Sequence, residues 1–153
     1  MDIADNRAPA RLRALPSWLL NQAGLAVNRL VTDALAASGL RRHHYSLLAA
    51  LDDLGPSSQA ELSRCTTIDR SDMVASINEL AGRGFVERSP DPDDARRNVV
   101  TITASGRREL TKLDRVIARA QSEWLAPLSK KERAALVGLL ERVVDHHATN
   151  ATD

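Results

Sequence analysis

Between Pro56 and Gly106 the spacing of apolar residues changes character twice, and this succession of local signals restricts the fold more than any other feature of the chain. Ser58-Gln-Ala-Glu61 has the form of a capping box, in which a serine hydroxyl and a glutamate carboxylate each satisfy a backbone N–H left free at a helix start. A short helix over about 58–65 is expected. Thr66-Thr67-Ile68 interrupts it, and Asp69 stands as the N-cap of a second helix carrying Met73, Val74, Ile77 and Leu80, closed by Gly84. Beyond Gly84 the helical period is lost. Phe85-Val86-Glu87-Arg88, a polar stretch from Ser89 to Asn98 and the β-branched run Val99 to Thr103 read as a hairpin with a long charged tip.

Helical patterns flank this core. Leu12, Leu15, Leu19, Ala23, Ala26, Leu30, Ala34 and Ala37 step by three or four, with a second stripe on Leu20, Val27, Val31 and Leu35, which predicts one helix from 12 to 37 ended by Gly39. A further helix covers about 43–54 and stops at Gly55-Pro56. Towards the C-terminus, Leu110, Leu113, Ile117, Ala120 and Trp124 form one stripe. Pro127 breaks it, and the capping box Ser129-Lys-Lys-Glu132 opens a last helix along Leu136, Leu140 and Val143. With only four aromatic residues, Trp18, Tyr45, Phe85 and Trp124, the core must be built from aliphatic side chains, so the fold class is mainly α with a small β-hairpin. The apolar arcs of the outer helices exceed what so small a centre can cover, and they point to a second copy of the chain.

Charge and chemistry narrow the function. The formal net charge is +1, and residues 41–104 hold 8 Lys and Arg against 10 Asp and Glu, a local balance of −2. Any nucleic-acid binding must therefore rest on a few placed cations. No apolar run approaches the ~18 residues that span a bilayer, so no membrane role and a cytoplasmic location are expected. The single cysteine, Cys65, excludes a disulfide framework or a cysteine-rich metal site and reads as a small buried filler. No nucleophile elbow, phosphate-binding loop or His-Glu-x-x-His motif is present, so an enzyme is not expected. The histidines form the pairs His43-His44 and His146-His147. Neighbours on a helix point about 100° apart, so neither pair chelates a metal by itself; a site combining pairs from two chains stays an alternative.

The order of short helix, tight turn, second helix and charged ribbon is that of a winged helix-turn-helix. From Leu40 to Gly106 the chain resembles the MarR family of bacterial regulators. The resemblance is carried by Ser58-Gln-Ala-Glu-Leu62, Asp69-Arg-Ser71, the run Leu80-Ala-Gly-Arg-Gly-Phe-Val-Glu-Arg88, Asp91-Pro92, Asp94-Ala-Arg96 and Val100-Thr-Ile-Thr-Ala-Ser-Gly106. It implies a flexible arm at 1–10, dimerisation helices at 11–38 and 105–147, a DNA-binding winged helix-turn-helix at 40–104 and a flexible tail at 148–153. It further implies a homodimeric regulator, a repressor in the first instance, that binds pseudo-palindromic double-stranded DNA without a cofactor.

The candidate DNA-binding residues are Arg70 and Ser71 in the first turn of the groove helix, where free N–H groups favour a phosphate oxygen. Asp72, Ala75 and Ser76 follow along that helix, Ala75 and Ser76 on its exposed side, and Arg88, Asp94, Arg96, Arg97 and Asn98 lie in the hairpin. In the resemblance, Asp94 braces the wing and Arg96 enters the minor groove. Ala75 departs from the family where a long polar side chain is usual, Asp72 is acidic beside the groove, and Thr66 and Thr67 replace the usual apolar residue and glycine of the turn. The family's pocket between arms and reading head, which takes small aromatic or anionic ligands, would here be lined by Trp18, His44 and Tyr45 with Arg107 near by. Two alternatives remain open, a metal-responsive regulator of the same fold and a winged-helix module that binds protein.

Overall fold

The computed structural model describes residues 8–150, so most of the arm expected at 1–10 and the end of the tail expected at 148–153 lie outside the described residues. Ten elements follow one another: α1 (Ala10–Arg13), α2 (Pro16–Ala36), α3 (Arg42–Leu54), β1 (Ser57–Ser58), α4 (Gln59–Thr66), α5 (Arg70–Gly82), β2 (Val86–Pro90), β3 (Asn98–Ile102), α6 (Ala104–Trp124) and α7 (Lys130–Asn150). The fold is mainly helical with one small antiparallel sheet, as the sequence implies.

The helix expected from 12 to 37 is two helices. Pro16 has no N–H and crowds the residue before it out of helical geometry, so Leu15 is extended at φ −91°, ψ 119° and Pro16 opens α2 at the position where proline is tolerated best. Helix α7 runs to Asn150, further than the 147 expected. The sheet also holds a strand that no periodicity announces. Ser57 and Ser58 pair with Val100 and Val99, giving the order β1-β3-β2, so β3 is central. Two residues carry no detectable alternation, which is why β1 is invisible in the sequence.

The local signals are otherwise realised atom by atom. Ser58 N–H donates to the Glu61 carboxylate at 2.7 Å while the Ser58 hydroxyl accepts from Glu61 N, and Ser129 with Glu132 repeats the arrangement. Helix α5 ends in a left-handed turn at Gly84, φ 73°, where Gly84 N–H reaches Ala81 O and Phe85 N–H reaches Leu80 O.

One aliphatic core joins all of this. Val31 and Leu35 from α2, Leu47, Leu48 and Leu51 from α3, Leu62 from α4, Met73, Ile77 and Leu80 from α5, the sheet's Val86, Val100 and Ile102, and Leu110 and Leu113 from α6 are all buried. Helix α2 packs along α6, and α3 packs against α4, α5 and α6. Helix α7 makes no comparable contact among the described residues. Cys65, expected as a buried filler, is exposed: it lies in the last turn of α4, past Leu62, the one residue of that helix buried in the core.

Two positions fix tight geometry. Helix α6 passes so close to the turn after α5 that a Cβ on Gly106 would stand 2.1 Å from the Phe85 carbonyl oxygen, a backbone atom that cannot swing aside. Thr67 ends α4 in left-handed backbone, φ 55°, where a β-branched side chain is strained. The two sites should respond with opposite sign. In denaturant unfolding, Gly106→Ala is expected to lower stability by about 1–3 kcal/mol through overpacking, whereas Thr67→Asn should raise it by about 1 kcal/mol by relieving the left-handed strain. A Gly106→Ala variant as stable as wild type would refute the first assignment, and a Thr67→Asn variant no more stable than wild type would refute the second.

Candidate nucleic-acid interface

Helix α5 presents two chemically different sides. Met73, Ser76, Ile77 and Leu80 are buried, and Arg70, Ser71, Val74, Ala75 and Asn78 are exposed along one outward strip, as positions i, i+1, i+4, i+5 and i+8 must be. Two sequence readings change here. Ser76, expected on the exposed side, is 1% exposed, because three residues after Met73 and four before Leu80 it lies at the edge of the buried arc. Val74, read as core, is 39% exposed on the outward strip. Asn78 joins that strip as well, and no sequence signal marks it or Val74 as a contact. Assigning residues 73 to 78 to faces requires knowing where α3 docks, which the helical period alone does not give.

The start of α5 is held by Asp69. Its Oδ1 accepts from Asp72 N–H at 3.0 Å and from the Ser71 hydroxyl at 2.7 Å, and these bonds, the Asp72 amide first, pull the Asp69 carboxyl below its ordinary range. Ser71 thus spends its proton inside the helix start. Asp72 leans towards His43, 3.8 Å away, on the side facing α3. Arg70 projects from the first helical position.

The hairpin is tied to this helix. Arg88 Nη2 donates to Asn78 Oδ1 at 2.6 Å, which links β2 to the outward strip of α5. At the tip, Asp94 Oδ1 accepts from Arg96 N–H at 3.0 Å and Asp94 O from Arg97 N–H at 2.9 Å, while Asp91 N–H closes the loop on Arg97 O at 2.7 Å. Asp94 therefore folds the loop, leaving the Arg96 side chain 96% exposed beyond it. Arg97 and Asn98, which opens β3, are exposed too.

The four residues expected around an effector pocket are placed differently from one another. Tyr45 O–H donates to Asp114 at 2.9 Å, and Arg107 Nε donates to Asp52 at 3.0 Å, both across the α3–α6 contact. Burial, reinforced by the bond to Asp114, raises the Tyr45 hydroxyl above its usual pKa. Trp18 is half-buried near the start of α2. His44 is 1% exposed and turned towards Glu79 of α5 at 3.0 Å, because one step along α3 swings the side chain about 100° from Tyr45. Within one chain, then, His44 does not share the α3–α6 seam with Tyr45 and Arg107. Among the described residues no three His, Cys, Asp or Glu side chains converge on a metal-sized site, and no helix is long and apolar enough to cross a membrane. His146 and His147 meet edge to face, ring centroids 5.1 Å apart.

Comparison with known proteins matches this architecture. A sequence model of the MarR family covers residues 38–97, which span α3, the two reading helices and most of the hairpin. A probable transcriptional regulator from Pseudomonas aeruginosa, solved as a crystal structure, is 33% identical and superposes with a TM-score of 0.79 over 87% of this chain and 99% of its own. The transcriptional repressor NicR of Pseudomonas putida is 41% identical over 101 residues, 64% of this chain; the match spans 62% of that repressor, less than two thirds of its length. BpsR of Bordetella bronchiseptica, whose DNA binding is regulated by 6-hydroxynicotinic acid, is 26% identical with a TM-score of 0.80 over 90% of this chain and 99% of that one. On these matches and on the helix, hairpin and arm geometry just described, the chain belongs to the MarR family of transcriptional regulators.

Proposed function

We propose that this chain is a homodimeric repressor that acts in the cytoplasm on pseudo-palindromic double-stranded DNA. The observation that carries the reading is the outward strip of α5 joined to the hairpin through Arg88 and Asn78, a helix and a ribbon side by side as a major-groove helix and a minor-groove wing require. Arg70 and Ser71 sit where backbone phosphates would flank the helix start. Val74 and Ala75 offer an apolar contact for a thymine methyl group, which fits a strip lacking the long polar side chain usual in the family. Arg96 supplies the minor-groove contact, with Arg97 and Asn98 beside it and Asp94 as the brace. Asp72 is drawn towards His43, which keeps its charge off the strip. Ser76 is withdrawn from the contact set.

The dimer follows from surface left over. Leu12, Leu15, Leu19, Leu20 and Leu25 at one end of the chain and Val137, Leu139, Val143 and Val144 at the other are exposed, on helices that the reading head does not cover. A two-fold mate would bury both sets and hold two reading helices about one duplex turn apart, ~34 Å. The effector proposed is a hydroxylated aromatic carboxylic acid, the class that 6-hydroxynicotinic acid represents for BpsR. Its place would be the junction of arm and head, where Arg107 can match a carboxylate and Tyr45 and Trp18 an aromatic ring.

Three measurements test these readings. Arg96→Ala should weaken binding to a duplex selected by the wild-type protein from a random pool, and lower the dependence of log affinity on log salt by ~1, because one phosphate-directed charge is lost. An unchanged salt titration would remove Arg96 from the interface. Sedimentation at micromolar concentration should give twice the 16.7 kDa chain mass; a folded monomer would end the dimer reading. Calorimetry with 6-hydroxynicotinic acid and related hydroxybenzoic acids should show binding that Arg107→Ala weakens, and no heat from any of them would reject the effector class.

A further inference from the structure

His44 sits where a capping box would place glutamate or glutamine, at the third helical position of α3. Its Nδ1 accepts the Arg41 N–H at 3.0 Å, so that nitrogen carries the lone pair and the neutral ring bears its proton on Nε2. Nε2 lies 3.0 Å from Glu79 Oε2, within ion-pairing distance yet at an angle short of a hydrogen bond. The other carboxylate oxygen of Glu79 accepts from Arg41 Nη2 at 2.6 Å. Glu79 stands on α5 seven residues beyond Asp72, and the same end of α5 carries Arg83, whose guanidinium donates to Ser38 O and Gly39 O after α2. Arg41, His44 and Glu79 thus clasp the start of α3 to the reading helix.

We propose that His44 is a positioning residue for DNA reading: in its neutral form it caps α3 within the clasp that sets α5 against α3, and its protonation opens the clasp at the Arg41 N–H, draws the ring onto Glu79 and weakens DNA binding. The inference rests on the DNA-binding reading above. The chemistry is one of donors and acceptors. A second ring proton would have to reside on Nδ1, where it would face the Arg41 N–H, so the bond capping α3 is lost while the attraction to Glu79 grows. The proton has a route in, because Arg41 and Glu79 line an open cleft of about 430 Å³ beside α5. Burial holds the His44 pKa below its ordinary 6.5, outweighing the opposing pull of Glu79, and Arg41 and Arg83 act in the same direction as burial. A folded-state pKa depressed in this way gives a stabilisation that is whole above about 6.5 and is lost as pH falls below it towards the folded value.

The other groups around α3 are engaged elsewhere. On the α2 side Arg42 donates to Asn28, on the α6 side Asp114 and Arg107 are taken by Tyr45 and Asp52, and His43 is exposed beside Asp72. His43, the other histidine at the start of α3, lies on this exposed side and serves as the control.

The test compares wild type, His44→Gln, His43→Gln and Glu79→Gln, using the duplex selected by the wild-type protein, at pH 7.5 and 5.5 and constant salt. Glutamine can accept the Arg41 N–H as histidine does but does not titrate. His44→Gln should match wild type within about twofold at pH 7.5 and, on acidification, retain about five times more affinity than wild type, the loss expected of one coupled protonation. His43→Gln should keep the wild-type loss, and Glu79→Gln should bind more weakly than wild type at pH 7.5. Melting temperatures over the same pH range give a second reading, in which the wild-type protein loses more than His44→Gln. If the pH profiles of wild type and His44→Gln coincide in both affinity and melting, His44 is not the positioning residue. If no duplex is selected, the DNA-binding reading fails, and the melting profiles alone decide whether the clasp opens on protonation.

Discussion

The passage of Gly106 against the Phe85 carbonyl, where no Cβ fits, is the constraint on which the remaining architecture hangs. At that point α6 leaves the hairpin: Thr103 N–H donates to Phe85 O, the Thr103 hydroxyl to Gly84 O, and the same hydroxyl caps α6 by accepting from Gly106 N–H. The end of α5, the root of the hairpin and the start of the long C-terminal arm are therefore pinned within a few residues of one another. Because the arm starts there, α6 is delivered along α2 and across α3, and a shared core of leucines follows.

What the sequence made legible was local. Ser58, Asp69, Gly84 and Ser129 act through bonds to residues within a turn of themselves, so their signals survive without any knowledge of the tertiary structure. The kink at Pro16 was equally local, but an unbroken apolar stripe from Leu12 onward concealed it. The faces of α5 were not legible, since Val74 and Ser76 differ in burial only because α3 docks on one side of the helix. Two-residue β1 and the turn of His44 towards Glu79 likewise come from long-range packing.

Counting charges misleads in the reading head because half of its ten acids are occupied by named partners. Glu61 is bound by Ser58, Asp69 by the start of α5, Glu79 by Arg41 and His44, Asp52 by Arg107, and Asp94 by the backbone of the hairpin tip. The carboxylates build the scaffold, while Arg70, Arg96 and Arg97 remain on its outside. A local balance of −2 is thus compatible with cations placed along the helix start and hairpin tip, and long-range attraction to a polyanion would be weak compared with contact at close range.

The smallest element has a mechanical consequence. Strand β1 is two residues long, but it bonds to β3, the strand that continues directly into the hairpin tip, and it follows Asp52, the anchor of Arg107, by only five residues. The chain from the α3–α6 seam therefore runs through Gly55 and Pro56 into β1 and meets β3 at Val99 and Val100, beside the hairpin tip and away from its root at Val86 and Ile102, so the tip is braced from the helical side as well as by β2.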